Sequence, residues 1–123
     1  MVCSKGHVKI RSILELGDFD FEEEYSFKNL RATSGREMPF DFVVFYDGEE
    51  HNDDNVEFAI EVQGEQHYQS VDAFGGKSKL RKQQYNDKQK KQFCLLHDIK
   101  LIQVPYTILP TYSLQDLFRD MEL

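Results

Sequence analysis

The alternation of apolar and polar positions along this 123-residue chain changes period several times, and each change marks an element. Ile10, Ile13 and Leu14 recur at helical spacing behind Ser4, a good N-cap, and Gly17 follows as a stop. A helix is expected from Ser4 to about Leu16. Phe19, Phe21, Glu23, Tyr25 and Phe27 then alternate with Asp20, Glu22, Glu24 and Ser26. A period of two reads as a strand with one aromatic face. Residues 28–37, with Ser34-Gly35-Arg36, read as a loop. Pro39 opens a second strand, where its missing N–H does least harm, and Asp47-Gly48 turns the chain toward a third, Val56 to Gln63. Gly64 ends that strand, and residues 65–76 with Gly75-Gly76 read as a loop. A long helix from about Ser78 to His97, a strand from Ile99 to Val104 stopped by Pro105, and a short helix capped by Ser113 complete the chain. The last helix should bury Leu114, Leu117, Phe118 and Met121.

The order α-β-β-β-α-β-α predicts an α/β fold, with a central mixed four-stranded sheet and helices on both faces, in one domain over residues 1–123. If the third and fourth strands are parallel, the long helix is a right-handed crossover. No run approaches the roughly 20 apolar residues that cross a bilayer, and residues 1–6 lack the apolar core of a signal peptide. Cys3 and Cys94 have no metal-ligand spacing, and Cys94 reads as a small buried hydrophobe. These features predict a cytoplasmic protein of a reducing compartment, without membrane contact or a small-molecule cofactor.

Two strands carry a residue that their neighbours do not explain. Phe40-Asp41-Phe42-Val43-Val44-Phe45 and Phe58-Ala59-Ile60-Glu61-Val62-Gln63 each place one carboxylate in an apolar run. A carboxylate there is costly unless a partner meets it. If the strands pair as a hairpin, Asp41 and Glu61 come side by side, with roughly 5 Å between Cβ atoms. Two hard oxygen donors at that separation suit Mg²⁺ or Mn²⁺, with the Val62 carbonyl as a further ligand. Such an ion polarises a phosphoryl group, and His67 could accept a proton at the mouth of the site.

Net charge is −7, which excludes an indiscriminate nucleic-acid coat. The charge is segregated, however. Residues 37–65 hold ten carboxylates and no Lys or Arg, whereas residues 77–91 hold seven basic residues and one acid, Asp87. The basic set, Lys77, Lys79, Arg81, Lys82, Lys88, Lys90 and Lys91, is the candidate DNA-contacting segment.

At these residues the chain resembles the PD-(D/E)XK nuclease superfamily. It is most similar to small endonucleases related to very-short-patch repair, with an E-D-x-H-D pattern, and to phage homing endonucleases. The resemblance runs through Pro39-Phe40-Asp41-Phe42, Ile60-Glu61-Val62-Gln63-Gly64-Glu65-Gln66-His67-Tyr68, Phe74-Gly75-Gly76, Gln84-Tyr85-Asn86-Asp87-Lys88 and residues 99–106. It implies a restriction-endonuclease-like three-layer α/β/α arrangement and a metal-dependent DNA endonuclease. Asp41, Glu61, Gln63, His67 and Asp87 would be its site residues, with a homodimer for cutting both strands. Two positions depart from the pattern: Gln63 stands where the motif has lysine, and Ser4-Lys5-Gly6-His7 has His7 where relatives have Glu. The departures keep open a catalytically inactive nuclease-fold domain that binds nucleic acid or a protein. A third reading is an acidic decoy presenting residues 37–65.

Overall fold

Gly17 ends the first helix for a steric reason. Its N–H bonds the Ile13 carbonyl at 3.0 Å, and a Cβ there would lie 2.6 Å from the Phe19 ring. The computed structural model describes residues 5–64 and 76–123, with backbone alone for Lys5 and residues 76–80. The chain runs α1 (Lys5–Leu16), β1 (Phe21–Tyr25), β2 (Phe40–Phe45), β3 (Val56–Gln63), α2 (Gly76–Leu96), β4 (Lys100–Pro105) and α3 (Leu114–Glu122). The Ser4 cap lies outside the described residues, as does the loop expected over 65–76 save its last residue: Gly76 already opens α2, ahead of the start expected near Ser78. Ser113 caps α3 in a capping box: its side chain accepts from the Asp116 N–H, and the Asp116 carboxylate accepts from the Ser113 N–H.

The four strands form one mixed sheet in the order β1-β2-β3-β4. β1–β2 and β2–β3 are antiparallel; β3–β4 is parallel, as a helical crossover between them requires. Two apolar clusters flank the sheet. Ile10, Ile13 and Leu14 of α1 and Leu117 of α3 pack with Phe42, Phe58 and Ile60. Cys94 of α2 packs with Phe40, Val43 and Ala59. Phe118 is 46% exposed, contrary to the expected stripe. It lies ~100° around the helix from Leu117 and leans on Phe19 at the rim, ring centroids 6.0 Å apart.

β1 departs from its sequence pattern in a way that matters for the site. The aromatics from Phe19 to Phe27 do not share a face: Phe19 and Phe21 join the α1–α3 cluster, Tyr25 and Phe27 the α2 cluster. Alternate residues of a regular strand share a face, so the chain turns over between Phe21 and Tyr25. It does so at Glu24, whose φ is 55°, a left-handed conformation costing ~1–3 kcal/mol outside glycine. β2 turns over at the same level, with Phe40 in one cluster and Phe42 in the other. Register pairs Glu23 with Phe42 and Tyr25 with Phe40, so Glu24 and Asp41 occupy the matching positions between.

The β2–β3 connection is tied down by polar contacts to β1 and the segment after it. The Tyr25 hydroxyl donates to Asp53 at 2.5 Å and the Lys28 N–H at 3.0 Å. His51 stacks on Phe45 at 4.2 Å, with Nδ1 2.6 Å from Glu22 and Nε2 2.6 Å from Asp20. Both nitrogens face carboxylates, which only accept, so the ring holds both protons in this arrangement. Partial burial opposes that charge, but the hydrogen bonds and charges of Asp20 and Glu22 outweigh it and raise the His51 pKa. A raised pKa stabilises the fold fully below the unfolded value of ~6.5, and the gain is lost as pH rises through the folded value. His51→Gln should therefore lower Tm most near pH 6, and the difference should shrink at alkaline pH. Melting curves of both proteins across pH check this; a pH-independent difference would contradict it.

Candidate functional site

The β2–β3 ladder stops at Phe42 and Ile60, one step short of pairing Asp41 with Glu61. Beyond that point the backbone donors turn to side chains. The Asp41 N–H donates to Glu61 Oε2 at 3.1 Å, and the Val62 N–H donates to Asp41 Oδ2 at 2.7 Å. Each carboxylate thus takes up a backbone donor of the other strand that the ladder no longer serves. This brings Asp41 and Glu61 together, as the hairpin expectation required, through strands that splay rather than a continued ladder.

Glu61 is 8% exposed, the one buried charged residue among those described. Its counter-charge comes from α2. The Lys90 ammonium donates to Glu61 Oε1 and, at 2.8 Å, to the Pro39 carbonyl. The same ammonium sits 5.1 Å from the centroid of the Phe40 ring. Burial, then the neighbouring Asp41 charge, raises the Glu61 pKa above the usual carboxylate range, while Lys90 opposes the shift. Cys94, one turn beyond Lys90, is buried at 2% exposure. Burial first, then the Glu61 charge, pushes its thiol up to about 12.

On its other oxygen Asp41 meets α1. His7 Nε2 lies 3.2 Å from Asp41 Oδ1, and the His7 ring rests 5.3 Å from Phe42. Glu24 joins them from the turned-over position of β1. One ligand atom each from His7, Glu24 and Asp41 lies within 4.8 Å of the others. Donors ~2.0–2.2 Å from one ion stand at most ~4.4 Å apart, so a span within 4.8 Å is close to what one ion requires. Nearby, Arg11 of α1 grips Glu23 through two bonds of 2.8 Å and, chiefly by that hydrogen bond, lowers its pKa.

The remaining expected residues fall into three groups. Val62 and Gln63 are half-buried at the end of β3, where the Gln63 carbonyl accepts the Tyr106 N–H at 2.8 Å. Asp87 is half-buried on α2, three residues before Lys90. Arg81, Lys82, Lys88 and Lys91 are exposed on the same helix, whereas Lys90, grouped with them in the sequence reading, is turned inward. His67 lies outside the described residues, as do the side chains of Lys77 and Lys79. The sequence reading did not assign Glu24 to the site, and it noted His7 only as a departure from the resemblance. Nothing local to Glu24 signals its role, because its neighbours continue an ordinary alternation.

No protein-family profile and no solved structure matches the chain. Two viral proteins are similar to part of it. Uncharacterized protein 094L of Frog virus 3 (isolate Goorha) is 48% identical over 56 residues, 44% of this chain and 36% of that protein. Uncharacterized protein 307L of Invertebrate iridescent virus 6 is 38% identical over 60 residues, 46% of this chain and 30% of that protein. The chain thus spans about a third of the length of these curated relatives.

Removing Lys90 leaves a buried carboxylate without its cation, which typically costs ~3–5 kcal/mol. Lys90→Met should lose about that much at pH 8 and less near pH 5, where Glu61 can fold protonated. Lys90→Met combined with Glu61→Gln should recover most of the loss. Urea denaturation of the three proteins at both pH values measures it; strictly additive losses would rule out the coupling.

Proposed function

We propose that this chain is a metal-dependent DNA endonuclease domain of restriction-endonuclease-like, three-layer α/β/α fold. The observation that carries the reading is the constellation at the splayed ends of β2 and β3: Asp41 against Glu61, with an ammonium bonded to the latter. The motif lysine absent at Gln63 has a counterpart in Lys90, delivered to Glu61 from α2. That supports an intact site over a decayed one.

The donor set fits a divalent cation. Asp41, Glu24 and His7 would hold it, with Glu61 alongside. Carboxylates suit Mg²⁺ and Mn²⁺, and an imidazole moves the preference toward transition metals, so Mn²⁺ is the better match of the two. When bound, the ion supplies positive charge to the phosphate oxygens. The chain does the rest. The Val62 N–H fixes one oxygen of Asp41, which pre-orients the carboxylate and leaves its other oxygen facing His7. Lys90 balances Glu61 and brings a second positive charge toward a phosphate seated there. In this reading His67 accepts the proton of the attacking water, the water oxygen bonds to phosphorus as the P–O bond to the leaving oxygen breaks, the leaving oxygen takes a proton from solvent, and Arg81, Lys82, Lys88 and Lys91 hold neighbouring phosphates. A second copy of the chain would supply the other active site for a double-strand cut.

Purified protein should nick supercoiled plasmid in Mn²⁺, more weakly in Mg²⁺ and not in EDTA, and Asp41→Ala should not nick at all. Retained DNA binding with no nicking in any metal would overturn the reading. Independently of activity, Mn²⁺ at a hundredfold excess over Kd should stabilise the protein by about 2.7 kcal/mol. Differential scanning calorimetry should show Asp41→Ala abolishing that gain and His7→Ala reducing it more for Mn²⁺ than for Mg²⁺.

A further inference from the structure

A cleft opens where Arg81 and Lys82 of α2, placed above on neighbouring phosphates, meet the segment before β2. It is a cleft of about 760 Å³ between the 32–38 segment and α2. Three cations line it, Arg36 from the segment and Arg81 and Lys82 from the helix, together with Tyr85 and Asn86. Tyr85 is 51% exposed, a large aromatic that the core does not consume. Glu37 is the one acid on the wall, and it is engaged by Arg31 at 3.3 Å. In a chain of net charge −7, a cleft of this composition is a local reversal of sign.

Both walls of the cleft lead to the site. On one side Met38 adjoins Pro39, whose carbonyl holds Lys90, and Asp41 follows two residues later. On the other, Tyr85 precedes Lys90 by five residues of one helix, a rise of ~7.5 Å. Both walls are therefore built from the segments that also carry the site, Pro39–Asp41 and the Lys90 helix.

We infer that this cleft seats an unpaired nucleotide of single-stranded DNA, with its base stacked on Tyr85 and its phosphates held by Arg36, Arg81 and Lys82. The inference rests on the endonuclease reading and narrows its substrate to DNA with a single-stranded arm. Size and chemistry favour one strand over two. The cleft falls in the ~300–1,000 Å³ range of sites that hold one small ligand, room for one unstacked nucleotide. Cations tracking a backbone beside an exposed aromatic are how proteins hold single strands with little sequence preference.

The test is binding in EDTA, where cleavage plays no part. Fluorescence anisotropy compares a labelled oligo-dT with a blunt duplex of equal length. The single strand should bind more tightly. Tyr85→Ala should weaken that binding by about 5- to 150-fold, the range for one base stacked on an aromatic, and leave duplex binding unchanged. Tyr85→Phe should retain the affinity. Arg36→Ala should lower the salt dependence by about one phosphate contact. Equal affinity for the duplex, an unchanged Tyr85→Ala, or a Tyr85→Phe as weak as Tyr85→Ala would each overturn the inference. Circular dichroism confirms that the variants fold. Because the metal is absent, failure here leaves the endonuclease reading standing, and failure to nick plasmid leaves this binding result readable.

Discussion

The exchange of backbone donors between Asp41 and Glu61 is the interaction on which the other features of the site depend. Two strands that stop pairing expose N–H groups that must find acceptors. Here each strand supplies a carboxylate for the other, so the end of the ladder becomes a polar junction instead of a frayed edge. That solution buries Glu61, and burying a lone carboxylate is expensive enough to demand a cation. Lys90 meets the demand and thereby anchors α2 over the sheet at Pro39 and Phe40. One local shortage of hydrogen bonds thus adds a polar anchor to the apolar packing of Phe93 and Cys94 that docks a helix from a distant part of the chain.

The turnover of β1 and β2 at Glu24 and Asp41 explains why three chemically useful side chains converge. Without it, both residues would be assigned to one face or the other by simple alternation. At the crossing point they answer to neither cluster, and α1 passes close enough for His7 to reach Asp41. The strained conformation of Glu24 opposes folding, and packing of Tyr25 and Phe27 on the α2 side offsets it.

Much of this architecture can be read in the residues themselves. The bounds of β3 follow from a clean period and Gly64, and the start of α3 follows from Ser113 and Asp116, because those signals act within a few positions. Asp41 and Glu61 are conspicuous for the same reason: each interrupts an apolar run. Lys90 is not, because in sequence it is one of seven basic residues, and only docking distinguishes it from Lys88 and Lys91. The turnover at Glu24 is hidden more deeply. The alternation from Phe19 to Phe27 continues unbroken while the backbone changes face, so the pattern is the same for a straight strand and a crossed one. Phe118 shows the remaining kind of difference, a residue at the edge of a narrow stripe whose burial is set by neighbours outside the helix.

The setting of Cys94 carries a consequence in redox terms. The thiolate is the form that oxidants and alkylating agents attack. With its thiol pushed up to about 12, first by burial and then by the Glu61 charge, the thiolate is scarce there at neutral pH. The sulfur one helical turn beyond Lys90 is therefore chemically quiet in the folded state. Burial, reinforced by the carboxylate that gives the site its charge, keeps this thiol from becoming a point of oxidative damage.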